Sequence, residues 1–147
     1  MKDDSYSEAQ KLAERVRDTM FAADKAAHAL GMEVSAISPG HASVTMTVRE
    51  EMLNGFGICQ GGLIATLADM AFAYACNSYN ELTVASGFDV DLLGPGKLGD
   101  RLTADGRVVS QGSRMGVYDI EVTNQNGDRI AVFRGRSYRM KGKQVAT

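Results

Sequence analysis

Met52-Leu53-Asn54-Gly55-Phe56-Gly57-Ile58-Cys59-Gln60-Gly61-Gly62 runs straight into Leu63-Ile64-Ala65-Thr66-Leu67-Ala68-Asp69-Met70-Ala71-Phe72-Ala73-Tyr74-Ala75-Cys76. The second half reads as a helix over 61–78. Ala, Leu and Met are strong helix formers, and neither Pro nor Gly interrupts the run. Leu63, Leu67, Met70 and Tyr74 fall at helical spacing, with Ile64, Ala68, Ala71 and Ala75 as an adjoining stripe. A helix apolar nearly all round is expected to be buried. One residue contradicts that environment: Asp69 is the only charged side chain between Glu51 and Glu81. A lone carboxylate on a buried helix is costly unless it is paired, protonated or employed.

Upstream, an amphipathic helix is expected from Ser7, its N-cap, with Leu12, Val16, Met20 and Ala23 on one face. Gly31 is the stop signal. The period then changes to two. Met32–Ile37 and Ala42–Val48 alternate as strands around Pro39-Gly40, which reads as a hairpin. Downstream, strands are expected at Val84–Leu93, Asp100–Ser110, Arg114–Thr123 and Arg129–Met140, separated by turn-forming residues. The ends, 1–6 and 142–147, read as disordered tails.

At 147 residues the chain reads as one domain spanning 1–147. With 44% hydrophobic and 23% charged residues it has a globular composition, and its net charge of -2 gives no footprint for nucleic acid or an anionic membrane. The central apolar run is shorter than the roughly 20 residues that span a bilayer. There is no basic start followed by an apolar block, so no signal peptide is expected, and a cytoplasmic location follows. Cys59 and Cys76 have neither metal-site nor disulfide-framework spacing.

The expected architecture is α+β: an antiparallel sheet of five to six strands curled around one long central helix, with an extra helix at the N-terminus. Such a sheet leaves a face and an edge strand uncovered, so a homo-oligomer is expected.

This pattern, with its loop, resembles the hotdog-fold acyl-CoA thioesterases, in the branch associated with phenylacetate degradation. The resemblance runs over about 18–140. It is carried by Leu53-Asn54, Cys59-Gln60-Gly61-Gly62, the block Leu67 to Ser78 and Val84-Ala85-Ser86. Asp91 to Gly96, Gly116 to Val122 and Val132 to Ser137 also match. The Gly-Gly turn is common to many hotdog proteins, whereas the helix block and Gly116-Val117-Tyr118-Asp119 are more specific. The resemblance implies hydrolysis of aryl- or hydroxyaryl-acetyl-CoA, with CoA as part of the substrate and neither metal nor cofactor. It also implies a tetramer, a dimer of dimers with sites at the dimer interface. The acid that activates water or attacks the thioester maps to Asp69, the helix-start amide to Gly61, and the loop amide side chain to Asn54. Gln60 departs from the family, which usually has His before the Gly-Gly pair. Glutamine donates a hydrogen bond but shuttles no proton near neutral pH. Phe56-Gly57-Ile58 also replaces a more polar sequence.

The residue types fit that chemistry on physical grounds. Thioester hydrolysis passes through an oxyanion, and helix N-terminal amides are ready donors for it. Gly61 lies two turns before Asp69, about 12 Å along one helix. One chain cannot place both against one carbon, so a second subunit must complete the site. Gln60, Gly62 and Ser86 complete the candidate set as substrate-binding residues. Each candidate has a structural alternative: a buried acid for Asp69, a tight turn for Gly61-Gly62, and a side-chain turn with Gly55 for Asn54. Gln60 can equally be a plain loop residue, and Ser86 a strand-end serine. Arg134, Arg136 and Arg139, with Lys97 and Arg114, can bind CoA phosphates or solvate a strand face. His28 and His41 lie near no motif. Other classes consistent with the sequence are a non-catalytic or weakly active acyl-CoA binder and a hotdog acyl-CoA hydratase.

Overall fold

The structure, a computed structural model, describes residues 4–147, with side chains from Glu8 onward. Helices α1 (Asp4–Ala23) and α2 (Lys25–Ala29) lead into strands β1 (Glu33–Ser38) and β2 (His41–Thr47). A 3-10 turn at Glu50–Met52 precedes helix α3 (Gly61–Asn77). Strands β3 (Glu81–Leu92), β4 (Arg101–Gln111), β5 (Met115–Thr123) and β6 (Arg129–Gln144) follow. Among the described residues the strands form one six-stranded antiparallel sheet in the order β1-β2-β4-β5-β6-β3. The sheet curls around α3, as expected.

The core is the seam between α3 and the inner face of the sheet. Leu67, Ala71, Phe72 and Tyr74 are buried there with Val44, Met46, Leu102, Tyr118, Ile120 and Phe133. The sheet is notched by glycine where the helix comes closest. A methyl group at Gly135 would lie 2.8 Å from the Phe72 ring, and one at Gly106 would lie 3.5 Å from the Ala71 carbonyl oxygen. Phe72 is wedged between Tyr118 and Phe133, at ring-centroid distances of 5.7 and 6.0 Å.

Several expectations are corrected. Of the tail expected at 1–6, residues 1–3 lie outside the described residues and 4–6 are helical, so Ser7 sits inside α1 and is not its cap. The amphipathic run is broken at Asp24, which caps α2 by accepting the Ala27 amide and also accepts the Tyr74 hydroxyl at 3.0 Å. Ala23 is exposed, while Ala13 and Val16 carry the buried face of α1. The stretch 142–147 is not loose. After Arg139 the strand bulges through Gly142 (φ +83), then Gln144 pairs with Glu81. The Asn80 side chain clasps buried Ala146, accepting its N–H at 2.7 Å and donating to its carbonyl at 2.9 Å. Finally, α3 is not buried all round. Leu63, Thr66, Asp69, Met70 and Ala73 form a half-buried stripe facing away from the sheet.

Candidate active site

The chain enters α3 through a loop that its own backbone fastens. Leu53 bridges Cys59, the Cys59 amide donates to the Gly96 carbonyl at 2.8 Å, and the Gln60 amide donates to the Met52 carbonyl at 2.8 Å. Asn54 is the loop's internal brace, its Oδ1 accepting the amides of Phe56 at 2.9 Å and Ile58 at 3.3 Å. Its Nδ2 donor finds no acceptor among the described residues. Phe56 projects from the tip of this loop, 91% exposed.

Gln60 occupies the N-cap of α3, but its side chain makes no capping bond. Its carbonyl receives the amides of Leu63 at 2.9 Å and Ile64 at 3.4 Å. The amides of Gly61 and Gly62 find no acceptor among the described residues. Two donors at the positive end of a 17-residue helix are therefore presented together. The absence of a side chain at Gly61 lets Leu92 of β3 pack directly against the helix start: a methyl there would lie 2.5 Å from Leu92 Cδ1.

Asp69 lies two turns further along. At about 100° per residue it falls between the sheet-facing Phe72 and Cys76 and the open Gly62 and Ala73, on the flank nearest β3. Its carboxylate has no hydrogen bond or ion pair among the described residues. Burial alone raises its pKa above the ordinary carboxylate value, with no donor to oppose it. Gly61, Gly62 and Asp69 are each incompletely buried along α3, and Gly61 lies against Leu92 of β3. On the inner row of β3 Leu92 is 52% exposed and Phe88, stacked on Phe133 at 4.8 Å, is 43% exposed. β3 is an edge strand, pairing with β6 alone.

Ser86 sits elsewhere than expected. It occupies the β-bulge in the middle of β3, not the start of a strand, and its hydroxyl donates outward to the Arg136 carbonyl at 3.1 Å. The basic row of β6 is self-neutralised. Arg134 grips Asp119 through two bonds of 2.6 and 2.7 Å, Arg136 pairs with Asp89 at 2.8 Å and Arg139 with Glu81 at 3.0 Å. Both cysteines are buried, and burial pushes the Cys59 thiol up and the Cys76 thiol up to about 12. Neither is a thiolate near neutral pH.

Sequence reasoning missed His41, whose Nε2 lies 2.6 Å from Asp105 Oδ1 while Ser43 donates to the same oxygen at 2.5 Å. Burial works against that carboxylate's charge, but the bonds from Ser43 and His41 and the Arg107 charge hold its pKa low. The cluster ties β2 to β4. His28 is a surface residue, its Nε2 2.8 Å from the Phe21 carbonyl. Among the described residues no group of three His, Cys, Asp or Glu could hold a metal ion, and no helix is long and apolar enough to cross a membrane.

Comparison with known proteins bears on this geometry. The profile of the Thioesterase superfamily matches residues 56–131. The chain is 50% identical over 123 residues to Acyl-coenzyme A thioesterase PaaI of Escherichia coli K12, covering 84% of this chain and 88% of that one. The solved structure of the E. coli PaaI protein from the phenylacetic acid degradation operon superposes with a TM-score of 0.90 at 46% identity, covering 91% of this chain and 97% of that one. The smu.793 protein of Streptococcus mutans, solved bound to acetyl CoA, gives a TM-score of 0.74 at 31% identity, covering 77% of this chain and 91% of that one. On the curled sheet around α3, the family profile over more than half its length and this identity, the chain belongs to the thioesterase superfamily, among the hotdog-fold acyl-CoA thioesterases.

Proposed function

We propose that the protein hydrolyses aryl-acetyl-CoA thioesters of the phenylacetyl type to the free acid and CoA, at sites formed between two copies of the chain. The observation that carries this reading is the presence on one helix, α3, of free Gly61 and Gly62 amides at its start and an unpartnered, partly buried Asp69 two turns on. The E. coli relative's name, an acyl-coenzyme A thioesterase, supports the reaction class, and its operon supports the aryl-acetyl substrate.

In this mechanism the thioester carbonyl oxygen takes the Gly61 amide, with Gly62 alongside, where negative charge develops in the transition state. Asp69 comes from the other subunit, because about 12 Å of helix separates it from its own Gly61. As general base it accepts a proton from water, whose oxygen attacks the carbonyl carbon. The tetrahedral oxyanion then collapses, the C–S bond breaks, and the Asp69 proton passes to the departing thiolate. Direct attack by the Asp69 carboxylate, followed by hydrolysis of the anhydride, uses the same geometry. Asn54 positions water or carbonyl through Nδ2, the one polar arm that its loop leaves spare. Gln60, at the helix mouth, donates where the family usually has His, and the Ser86 bulge borders the acyl end.

The unpaired edge of β3, with Val84, Phe88 and Leu92 half-exposed, supports a homodimer seam along that strand, and dimers pair further into a tetramer. Residues 1–147 act as one domain in the cytoplasm. The test is thiol release from phenylacetyl-CoA, its ring-hydroxylated forms, benzoyl-CoA and a straight-chain acyl-CoA, with a Gln60→His variant in parallel. A preference of the unaltered protein for the aryl-acetyl thioesters is expected. No release from any of them by either protein would overturn the reading.

A further inference from the structure

Strand register fixes which residues of β3 turn inward. Phe88 stands opposite Gly135, Val90 opposite Phe133 and Leu92 opposite Ala131. These three partners are buried, and Gly135 and Phe133 lie against Phe72 of α3. Leu92, at one end of the row, packs on Gly61. Phe88, four residues back, ends an aromatic series that begins in the core. Tyr118 and Phe133 flank Phe72, and Phe88 stacks on Phe133 with 26° between the ring planes. The first three rings of that series are buried, whereas Phe88 is 43% exposed.

The strand around Phe88 is pinned on both sides. Gly87 has no side chain, and a methyl there would lie 3.0 Å from the Arg136 guanidinium, which reaches across to hold Asp89 at 2.8 Å. Packing a strand edge asks only for apolar area. A ring whose plane is set by a second ring adds a preference for flat, aromatic partners. Phe88 and Leu92 are about 13 Å apart along the strand. A hydrogen bond from the Gly61 amide to a carbonyl, one methylene and a ring stacked at about 4.5–7 Å cover a span of that order.

We infer that Phe88, in the chain that supplies Gly61, is a specificity-determining residue: the aryl ring of the acyl group stacks on it, so the enzyme prefers an aromatic acyl group to a saturated one of the same size. The inference rests on the thioesterase reading and adds to it the side chain that selects the acyl group. Phe88 touches no reacting atom, so its effect falls on the choice between substrates.

The experiment measures kcat/KM for phenylacetyl-CoA, cyclohexylacetyl-CoA and hexanoyl-CoA in the unaltered protein and in Phe88→Leu, Phe88→Tyr and Met115→Leu. Cyclohexylacetyl-CoA carries as many carbons as the aryl substrate on the same one-methylene arm but has no flat π face. Phe88→Leu keeps apolar bulk and removes the ring. It should lower the phenylacetyl-to-cyclohexylacetyl ratio about two- to tenfold. Its kcat/KM for hexanoyl-CoA should stay within about twofold, and its elution on a sizing column should match that of the unaltered protein. Phe88→Tyr should keep the ratio, as should Met115→Leu, exposed on β5. An unchanged ratio in Phe88→Leu would overturn the assignment. So would an equal loss on all three substrates or a shifted elution, either of which would mean that the ring packs the fold or the seam between copies. Turnover of all three by the unaltered protein with no aromatic preference would overturn this inference and leave the thioesterase reading standing. Thiol release from none of them would strike that reading, and this inference with it.

Discussion

Replacing Asp69 by Asn keeps the shape of the side chain and removes its charge and basicity, so it separates chemistry from packing. Loss of a positioned general base costs about 10²–10⁴ in rate. At about 1.36 kcal/mol per decade that is roughly 2.7–5.4 kcal/mol of transition-state stabilisation. The same substitution should act on stability with the opposite sign. Burial raises the pKa of Asp69 in the folded chain, and no donor compensates. The folded state therefore holds this proton more tightly than the unfolded state does. Stability contributed by the group is present below the unfolded value, about 3.9, and is lost as pH rises through the higher folded value. At neutral pH the ionised carboxylate is a burden that a neutral amide at the same position does not carry. Asp69→Asn should thus have a higher urea midpoint than the unaltered protein at pH 7, with the difference closing near pH 4 and below. Thiol release across pH supplies the second readout, since the acid limb of kcat/KM should lie above the ordinary aspartate value. An Asp69→Asn variant that keeps turnover within about tenfold refutes the role outright. A variant less stable than the unaltered protein at pH 7 would mean that Asp69 has an ionic partner in the assembled protein.

Two further substitutions probe the frame around the site. Gly135→Ala drives a methyl to 2.8 Å from the Phe72 ring, which Tyr118 and Phe133 prevent from yielding. It should cost about 1–3 kcal/mol, read as a lowered thermal midpoint; an unchanged midpoint would show that the ring can move aside. Asn80→Gly preserves the left-handed backbone at that residue (φ +67) but deletes both bonds to Ala146. A loss of about 1–3 kcal/mol is expected, together with rapid carboxypeptidase trimming of the C-terminus, and resistance to trimming would argue that the clasp holds little.

The parts of the fold that were legible are those encoded by neighbours in sequence. The apolar periodicity of 61–77 and the Pro39-Gly40 turn both report on bonds made within a few residues. The same holds for the entry to the site, where Asn54 braces its loop with amides two and four residues away. What escaped depends on partners far along the chain. Asp24 looks like one more polar residue of an amphipathic helix until Tyr74 arrives to meet it. Gly142 reads as an end because the return of Gln144 to Glu81 and the grip of Asn80 on Ala146 are set by strand register. His41 belongs to no local motif because its partner Asp105 is brought across from β4. The stripe around Asp69 escaped for another reason. An all-apolar helix predicts burial, but the sheet covers only one side of α3 and the stripe lies on the other.

The glycine notches at Gly106 and Gly135 have a mechanical consequence. With Ala71 lodged against one and Phe72 in the other, α3 is keyed into the sheet like a shaft in a slot. A slide of one turn, or a roll of one residue, would drive a side chain into backbone. Variation in the loop at 54–60 can therefore reshape the approach to the start of α3 without shifting Asp69, so the two ends of the helix are free to diverge separately.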